Sequence, residues 1–178
     1  VYPEAAWCTA DSSGTADERA RLAKSERGSI HVSPKAPPDP EDYAAAETAP
    51  SPHPWFEDGR GPVALTVGRL ERQKNHGMSL QALARVRSGG SPLRPLILGE
   101  GSLRTGLANQ ARELGLGQAV RFLGFVANPL DSIVRADVFL MASICEGYPN
   151  PLLQAAPRRL PRVSTYRPCG SPRRSSRH

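Results

Sequence analysis

The sequence predicts an α/β protein with a single Rossmann-like, parallel-sheet domain, and two observations lead to this fold class. Between Gly61 and Ala156, short apolar runs of strand length alternate with segments in which apolar residues recur at helical spacing. Runs that resemble buried strands are followed directly by glycine, as at Gly68 and Gly99. Alternation at this spacing is typical of βαβ units with right-handed crossovers. Ligands are therefore expected beyond the carboxyl ends of the strands.

The elements follow one another without an internal repeat. Apolar runs predict strands at 62–67, 95–98, 119–126 and 137–141. Helical periodicity and helix-terminal residues predict helices at 78–86, 102–114, 130–135 and 149–154. Ser102 is expected to cap the second helix, Pro149 suits the first turn of the last, and His76 is expected at a helix start.

Residues 1–59 are rich in alanine, proline and acid, and they are predicted to form an irregular connector with one helix at 15–25. Proline has no amide hydrogen and a fixed φ, so the proline-rich stretches 36–40 and 49–54 are not expected to sustain regular hydrogen bonding. The predicted domain organisation is a connector (1–59), a Rossmann-like domain (60–156) and a tail (157–178).

The positive charge of the chain, +6, is concentrated in residues 157–178. That segment holds seven of the 23 Lys and Arg residues and no acid, so the rest, with 16 basic and 17 acidic residues, is nearly neutral. A nucleic-acid-binding protein carries its basic charge on a folded face, so no nucleic-acid partner is expected. The arginine, proline and serine bias predicts a disordered basic tail, either genuine or the product of a changed reading frame.

Three cysteines that are far apart argue against a disulfide framework or a zinc cluster and favour a reducing compartment. The histidines show no metal-ligand spacing, so no metal site is expected. No apolar run approaches a membrane-spanning length of about 18 residues, and residues 1–6 lack the features of a signal peptide. These observations favour a cytoplasmic protein.

The loop after the first predicted strand carries the first candidate site. Gly68 lets a ligand approach the backbone. Arg69 and Lys74, five residues apart, can clamp a diphosphate from one loop. The alternative, a solvated loop in an arginine-rich chain, fits these residues equally well when they are taken alone.

Gly99, Glu100 and Gly101 precede a predicted helix and could present backbone amides to an anion. A tight turn is favoured instead, because Arg104 stands where a dinucleotide-binding fingerprint has its third glycine. No acid ends a second strand in the expected place, which further disfavours an NAD-dependent oxidoreductase.

The loop after the fourth predicted strand contains Glu146, whose carboxylate can accept hydrogen bonds from the hydroxyls of a sugar at the mouth of the sheet. An exposed loop acid without such a role is the commoner fate of a lone glutamate. Gln154 lies eight residues further on, or about two helical turns. Cys145 has no visible base partner, so a thiol nucleophile is not expected.

Five sequence motifs occur in the following order between residues 63 and 155: VGRLERQKN, LGEGSLR, ARELGLGQAVRFLGFV, ADVFLMAS and EGYPNPLLQA. Together they resemble the nucleotide-sugar-binding domain of the family 4 glycosyltransferases, the C-terminal half of these retaining enzymes of the GT-B fold. Residues 1–3 and 14–23 are similar to the last unit of the family's N-terminal domain, and 53–56 to the lead into its C-terminal domain.

The resemblance implies a donor site around the first loop. Gly68 matches the glycine where donor and backbone meet, and Arg69 and Lys74 match the cations that hold the donor diphosphate. The nucleobase is implied to rest against a strand-end segment of three residues, Leu123, Gly124 and Phe125. Because cations hold the leaving diphosphate, no metal and no other cofactor is implied.

The resemblance also assigns roles to the residues of a motif at positions 146–154. Glu146 matches the first glutamate of the family's E-x7-E motif, which contacts the transferred sugar. The amides of Gly147 and Tyr148 are implied to lie near the phosphates. Gln154 stands where the family has its second glutamate, the ribose contact, and can hydrogen-bond a hydroxyl but lacks the charge. The implied catalytic residues are Glu146, Arg69 and Lys74.

The implied function is that of a fragment of a retaining glycosyltransferase, which transfers a sugar from a nucleotide-diphosphate sugar to a saccharide or lipid-linked acceptor. The acceptor-binding N-terminal domain is expected to be missing except for its last piece, so the chain alone is expected to be inactive. In the full-length protein, that domain would make the peripheral contact with the cytoplasmic face of the membrane. The alternative is a non-catalytic nucleotide-binding remnant, which Gln154 favours.

Two departures from the family pattern bear on folding. Residues 7–11 occupy the place of a buried apolar strand in the family, and 157–165 the place of a Val-rich strand. In the second of these strands Arg162 would be buried and unpaired, at a cost on the order of several kcal/mol. This departure is a further reason to predict a disordered tail.

Overall fold

The computed structural model of the chain describes residues 8–157 and 160–165. These residues form two compact units, and each is described by itself. The first comprises 8–37 and 145–150, and the second comprises 38–144, 151–157 and 160–165. The division of the chain into connector, ligand-binding domain and tail remains a prediction.

The first unit is a small βαβ element. Strand β1 (Cys8–Ala10) pairs in parallel with strand β2 (Ile30–Val32), and helix α1 (Ser13–Ala23) connects them. The Ser12 side chain accepts a hydrogen bond from the Thr15 amide and caps α1. The helix confirms the prediction for this segment. The two strands correct the prediction of an irregular connector, because three-residue strands are too short to leave a periodic apolar pattern.

The second unit begins with a helix that was not predicted, because the sequence around it is rich in proline. Helix α2 (Pro40–Thr48) starts at a proline, and its first turn is closed by the Asp42 carboxylate, which accepts from the Asp39 amide at 3.0 Å. Proline suits a first helical turn because its missing amide hydrogen is not needed there. A short 3-10 helix (Pro54–Phe56) also opens at a proline. The prediction that the proline-rich stretches lack regular structure is therefore corrected, since the last proline of each opens a helical turn.

Five strands form the sheet of the second unit. They are β3 (Val63–Val67), β4 (Arg94–Leu98), β5 (Arg121–Gly124), β6 (Val138–Met141) and β7 (Arg162–Ser164). They lie in the order β5-β4-β3-β6-β7, and every neighbouring pair is parallel. The four predicted strands are present, with β5 shorter than predicted, and the α/β parallel-sheet fold class is confirmed.

The helices between the strands follow the predicted alternation. They are α3 (His76–Ser88), α4 (Arg104–Glu113), α5 (Leu130–Ile133) and α6 (Asn150–Gln154). Helix α4 begins later than predicted, with Leu103 at its N-cap. Ser102, which was expected to cap it, instead donates its hydroxyl to the Glu71 carboxylate at 2.9 Å. His76 begins α3, as predicted.

The apolar core of the second unit lies on both faces of the sheet. Leu65 and Leu96 face one cluster, to which α2 and α5 contribute, while Ala64 and Ile97 face the other, covered by α3 and α4. All four of these strand residues are buried. A parallel sheet packed on both faces gives near-continuous apolar strands. This packing holds the strand ends, and so the loops that follow them, in fixed positions.

Strand β7 lies within the segment that was predicted to be a disordered tail. It pairs with β6, and Leu160, just before it, is buried in the core. The prediction that Arg162 would be buried and unpaired is wrong, because its side chain is exposed and donates to the Ala155 carbonyl at 3.2 Å. At the edge of the described sheet an arginine can extend into solvent. The predicted disorder is thus corrected for 160–165, and the segment from 166 onward lies outside the described residues.

Candidate functional site

The loops that follow β3, β4 and β5 meet at the carboxyl edge of the sheet. The Gly68 amide donates to the Leu98 carbonyl at 2.9 Å, which continues the β3–β4 pairing past the strand end. The Gly99 amide donates to the Gly124 carbonyl at 2.7 Å and joins the ends of β4 and β5. Three loops from separate parts of the sequence therefore form one backbone cluster, at the edge where ligands bind in such sheets.

Gly99 allows the backbones to approach this closely. A Cβ atom at Gly99 would lie 2.0 Å from the Gly68 carbonyl oxygen, and the φ of Gly99 is +140°. Gly124, with φ of +79°, also adopts a backbone conformation that other residues rarely take. Close packing of backbone on backbone thus accounts for glycine at Gly99 and agrees with the predicted tight turn.

The two predicted diphosphate-binding cations lie on the loop after β3. A 3-10 helix (Arg72–Lys74) turns the chain back, so that the methylene chain of Lys74 packs over Gly68. A Cβ on Gly68 would be 3.3 Å from Lys74 Cδ. Arg69 is exposed and Lys74 is half-buried. Both cations therefore belong to the loop at the carboxyl end of β3, and the Lys74 side chain lies next to the Gly68 backbone.

The amides that precede α4 are occupied by acceptors of the chain itself. Glu71 accepts hydrogen bonds from the amide and from the hydroxyl of Ser102, each at 2.9 Å. The Leu103 amide donates to the Leu70 carbonyl at 3.0 Å. The bond from the Ser102 amide, and after it that from the hydroxyl, lowers the pKa of the Glu71 carboxyl. Because a carboxylate already holds this turn, an external anion bound to the same amides is disfavoured.

A buried histidine packs against the backbone of residues 68–74, called the donor loop after the diphosphate contact predicted for it. His76 is only 3% exposed, and its Nε2 lies 3.2 Å from the Arg69 carbonyl oxygen. Burial lowers the pKa of His76, while the hydrogen bond to the Arg69 backbone acts against this shift and the charge of Lys74 acts in the same direction as burial. The neutral imidazole is therefore the favoured form at neutral pH.

The end of β5 adds an apolar surface to the same edge. Phe125 is 75% exposed, whereas Leu123 is partly buried against the core. Gly124, between them, is the residue bonded to Gly99. An exposed aromatic ring next to a backbone cluster can pack against another planar ring, which suits the nucleobase contact implied for this segment.

The predicted sugar contact lies in the first unit. Glu146 is buried, with 5% of its surface exposed, so the alternative of an exposed loop acid does not hold. The Gly147 carbonyl accepts from the Ser12 hydroxyl at 3.0 Å, and the Tyr148 hydroxyl donates to the Lys35 carbonyl at 2.8 Å. Within this unit the loop is thus anchored to the N-terminus of α1 and to the segment after β2.

Gln154, the predicted ribose contact, ends α6 in the second unit. Its backbone carbonyl accepts a hydrogen bond from the Tyr43 hydroxyl at 2.8 Å. Tyr43 belongs to α2 and is 6% exposed. This bond fixes the backbone at Gln154, and the role of its side chain stays a prediction.

Sequence reasoning missed two residues that shape the donor loop, Glu71 and His76. The partner of Glu71, Ser102, lies in another loop, and no spacing in the sequence relates the two. His76 could be placed at a helix start, but its burial and its contact with the Arg69 backbone depend on how the loop folds back. Proximity to Arg69 and Lys74 in the sequence was the one available signal.

Residues 8–157 and 160–165 contain no group of three or more His, Cys, Asp or Glu placed to hold a metal ion. In that same part of the chain, no helix combines the length and apolar character needed to cross a membrane. The expectation that donor binding needs no metal remains a prediction.

The parallel sheet and the loop cluster at its carboxyl edge define the Rossmann-like nucleotide-sugar-binding fold of GT-B glycosyltransferases. Residues 50–174 match the family model described as glycosyl transferases group 1. The chain therefore belongs to this family of glycosyltransferases.

Two curated relatives illustrate the family. The chain is 38% identical over 91 residues to the N-acetylgalactosamine-N,N'-diacetylbacillosaminyl-diphospho-undecaprenol 4-alpha-N-acetylgalactosaminyltransferase of Campylobacter jejuni, covering 51% of this chain and 24% of that protein. It is 31% identical over 104 residues to the lipopolysaccharide core biosynthesis glycosyltransferase LpsE of Rhizobium meliloti, covering 58% and 29%, respectively. The chain thus spans about a quarter of the length of these relatives.

Solved structures show the same fold. The lipopolysaccharide outer core galactosyltransferase WaaB, in its apo form, is 27% identical with a TM-score of 0.66, covering 95% of this chain and 45% of that one. Anabaena Alr3699/HepE, in complex with UDP and glucose, is 18% identical with a TM-score of 0.74, covering 93% and 46%. At 18% identity, the second similarity shows the fold alone.

Proposed function

We propose that the full-length protein is a retaining family 4 glycosyltransferase, which transfers a sugar from a nucleotide-diphosphate sugar to a saccharide or lipid-linked acceptor. The observation that carries this proposal is the donor loop, in which Arg69 and Lys74 follow Gly68 at the carboxyl end of β3 and the Lys74 side chain packs next to this glycine. The Gly99 backbone lies against that of Gly68, and Gly124 is hydrogen-bonded to Gly99.

The chemistry of the reaction explains why these residue types are needed. When the bond between the sugar and the diphosphate breaks, negative charge develops on the leaving diphosphate. Arg69 and Lys74 neutralise that charge, and they do so from a preorganised loop, which is the most effective form of electrostatic stabilisation. Glu146 orients the transferred sugar by accepting hydrogen bonds from its hydroxyls, and its burial restricts the carboxylate to few orientations.

The remaining donor contacts are proposed from the resemblance. The nucleobase rests against Leu123–Phe125, where the exposed Phe125 ring is available. Gln154 hydrogen-bonds the ribose, and the amides of Gly147 and Tyr148 face the phosphates. This assignment gives each part of the donor a contact with the chain and uses no metal ion.

The names of relatives support the proposed substrates. The Campylobacter jejuni enzyme is named for a saccharide on diphospho-undecaprenol, and LpsE for lipopolysaccharide core biosynthesis. Anabaena Alr3699/HepE was solved with UDP and glucose. We therefore propose a saccharide or lipid-linked acceptor, with peripheral contact to the cytoplasmic face of the membrane made by the N-terminal domain of the full-length protein.

Titration of the chain with UDP and GDP by isothermal calorimetry tests the donor site. We expect one nucleotide to bind and Arg69→Ala or Lys74→Ala to weaken binding about tenfold or more, since each removes a charge-assisted contact with phosphate. Arg72→Ala is the matched control, because Arg72 is an exposed cation in the same loop. Equal losses in all three variants, or binding of NAD in place of UDP and GDP, would contradict the proposal.

A second candidate is a nucleotide-binding protein without transferase activity, which the glutamine at position 154 favours. The full-length protein separates the two, because an enzyme consumes the nucleotide sugar in the presence of acceptor and a binding protein does not. We further propose that the 178-residue chain alone is inactive, since it spans only part of its relatives. Sugar transfer by the purified chain would refute this point.

A further inference from the structure

The Arg69 carbonyl oxygen is the point where the donor loop is tied to α3. It accepts a hydrogen bond from the Glu71 amide at 2.9 Å and lies 3.2 Å from Nε2 of His76. A carbonyl oxygen can only accept, so this contact is a hydrogen bond only if Nε2 of the imidazole carries the proton. Nδ1 is then an acceptor, and within the described residues it is buried without a hydrogen-bond partner.

We propose that His76 is a positioning residue, which holds the donor loop in its diphosphate-binding conformation through the bond from Nε2 to the Arg69 carbonyl. The inference rests on the proposed function only in assigning the diphosphate to Arg69 and Lys74. His76 itself is too deeply buried to meet the donor.

The geometry of the loop explains why one bond acts on both cations. Asn75 separates Lys74 from His76 and adopts a left-handed conformation, with φ of +50°, which turns the chain into α3. His76 therefore anchors the loop at the Lys74 end through the chain and at the Arg69 end through its side chain. Both cations are held relative to the same rigid residue.

The first turn of helix α3, which carries His76, is itself held in place by its neighbours. The Gln110 amide group of α4 donates to the Gly77 carbonyl at 3.3 Å, and Leu80, one turn further along α3, is fully buried. The start of the helix is therefore held by the core and by its neighbour. A loop bonded to this position shares its rigidity, which is what a preorganised anion site requires.

The unpartnered Nδ1 is a second reason to assign His76 a role beyond packing. A buried polar atom without a partner carries a desolvation cost. An apolar side chain of similar size would fill the same space without that cost. The bond to Arg69 is the contribution of histidine that an apolar residue could not replace.

The test uses His76→Gln and His76→Met, a matched pair of similar length in which only Gln carries an N–H donor. The readouts are UDP affinity by calorimetry and hydrogen exchange of the Leu70, Glu71 and Lys74 amides. We expect His76→Met to weaken UDP binding and to speed exchange of these amides by about five- to tenfold, the equivalent of one hydrogen bond. We expect His76→Gln to restore most of both, while β3 and β4 keep their protection in both variants.

Each outcome decides the inference. Unchanged UDP affinity and loop exchange in His76→Met, or equal impairment in both variants, would overturn it. If wild-type protein binds neither UDP nor GDP, the proposed function fails, but loop exchange in the matched pair still decides the role of His76. If His76→Met does not fold, nitrogen-15 spectra of the wild-type imidazole decide it. Protonation at Nε2 supports the inference, and protonation at Nδ1 overturns it.

Discussion

Nη1 of Arg94 donates to both carboxylate oxygens of Asp58, each at 2.7 Å. The same guanidinium donates to the Gly61 carbonyl at 2.6 Å and to the Trp55 carbonyl at 2.8 Å, and it lies 5.2 Å from the centre of the Trp55 ring. Arg94 is the first residue of β4. It therefore fastens the segment that leads into β3 to the amino end of the sheet, away from the donor loop.

Replacing Arg94 by methionine should destabilise the second unit without touching the donor loop. The change removes the Arg94 donor from two backbone carbonyls and from the Asp58 carboxylate, which keeps only the hydrogen bond from the Arg60 amide. We expect the free energy of unfolding to fall by about 2 to 4 kcal/mol. Urea unfolding followed by circular dichroism measures the loss. Arg85→Met, on the exposed face of α3, is the control and should change stability by less than about 0.5 kcal/mol. Similar losses in both variants would contradict this role for Arg94.

Gly99→Ala should damage the loop cluster directly. The new Cβ would lie 2.0 Å from the Gly68 carbonyl oxygen, so the backbone of the donor loop must move. We expect a stability loss of about 2 kcal/mol or more from steric overlap and loss of measurable UDP binding. Gly106→Ala is the matched control, because a Cβ there meets nothing within 4 Å. In the interior of α4 it should raise stability by about 0.5 to 1 kcal/mol. UDP binding by Gly99→Ala at wild-type affinity would refute the proposed geometry.

The lowered pKa of His76 should make the stability of the protein depend on pH. Burial lowers its pKa in the folded state below the usual 6.5, so the unfolded chain binds more protons as the pH falls below that value. The free energy of unfolding should therefore decrease as the pH falls through the unfolded pKa of 6.5 toward the folded-state pKa, and His76 should contribute almost no pH dependence above about pH 7.5.

Comparison of wild-type protein with His76→Gln isolates this contribution. The pKa of His53 is also lowered by burial, but His53 titrates in both proteins and cancels in the difference. Urea midpoints measured between pH 5 and pH 8 should show wild type losing stability relative to His76→Gln only on the acidic side. A constant difference across this range would show that His76 has an ordinary pKa.

Strand β7 should be needed for a stable second unit. A chain truncated after Ala156 loses Leu160 from the core and leaves β6 as an unpaired sheet edge. We expect it to unfold at lower urea concentration and to aggregate. A chain truncated after Thr165 retains both features and is the control. Equal solubility and equal urea midpoints in the two truncated chains would show that β7 contributes nothing.

Elements with a clear local pattern of apolar residues could be predicted from the sequence, and elements without such a pattern could not. The apolar run at β3 and the helical periodicity of α3 were visible because they are local patterns. Helix α2 was missed, because prolines in its neighbourhood suggested irregular structure although proline at a first turn is compatible with a helix. Strand β7 was missed because an exposed edge strand lacks the apolar run of a buried one.

In the candidate site, too, some residues could be predicted from the sequence and their contacts could not. Arg69 and Lys74 were found because both cations lie in one short loop next to a glycine. Their support was not visible, since the bond from Ser102 to Glu71 joins loops that are distant in the sequence. The burial of Glu146 was equally hidden, because the sequence of an exposed loop acid and that of a buried one are alike.

The sequence by itself determined that strands and helices alternate into a parallel sheet and that a cationic loop follows its first strand. These features follow from apolar periodicity and from turn residues, which act over a few positions. Only the tertiary structure decided that Gly99 packs against the Gly68 carbonyl and that His76 contacts the Arg69 backbone. It also decided that the Arg162 side chain, in the edge strand β7, is exposed to solvent. Those relations depend on which segments pack together, and packing is determined by the whole core.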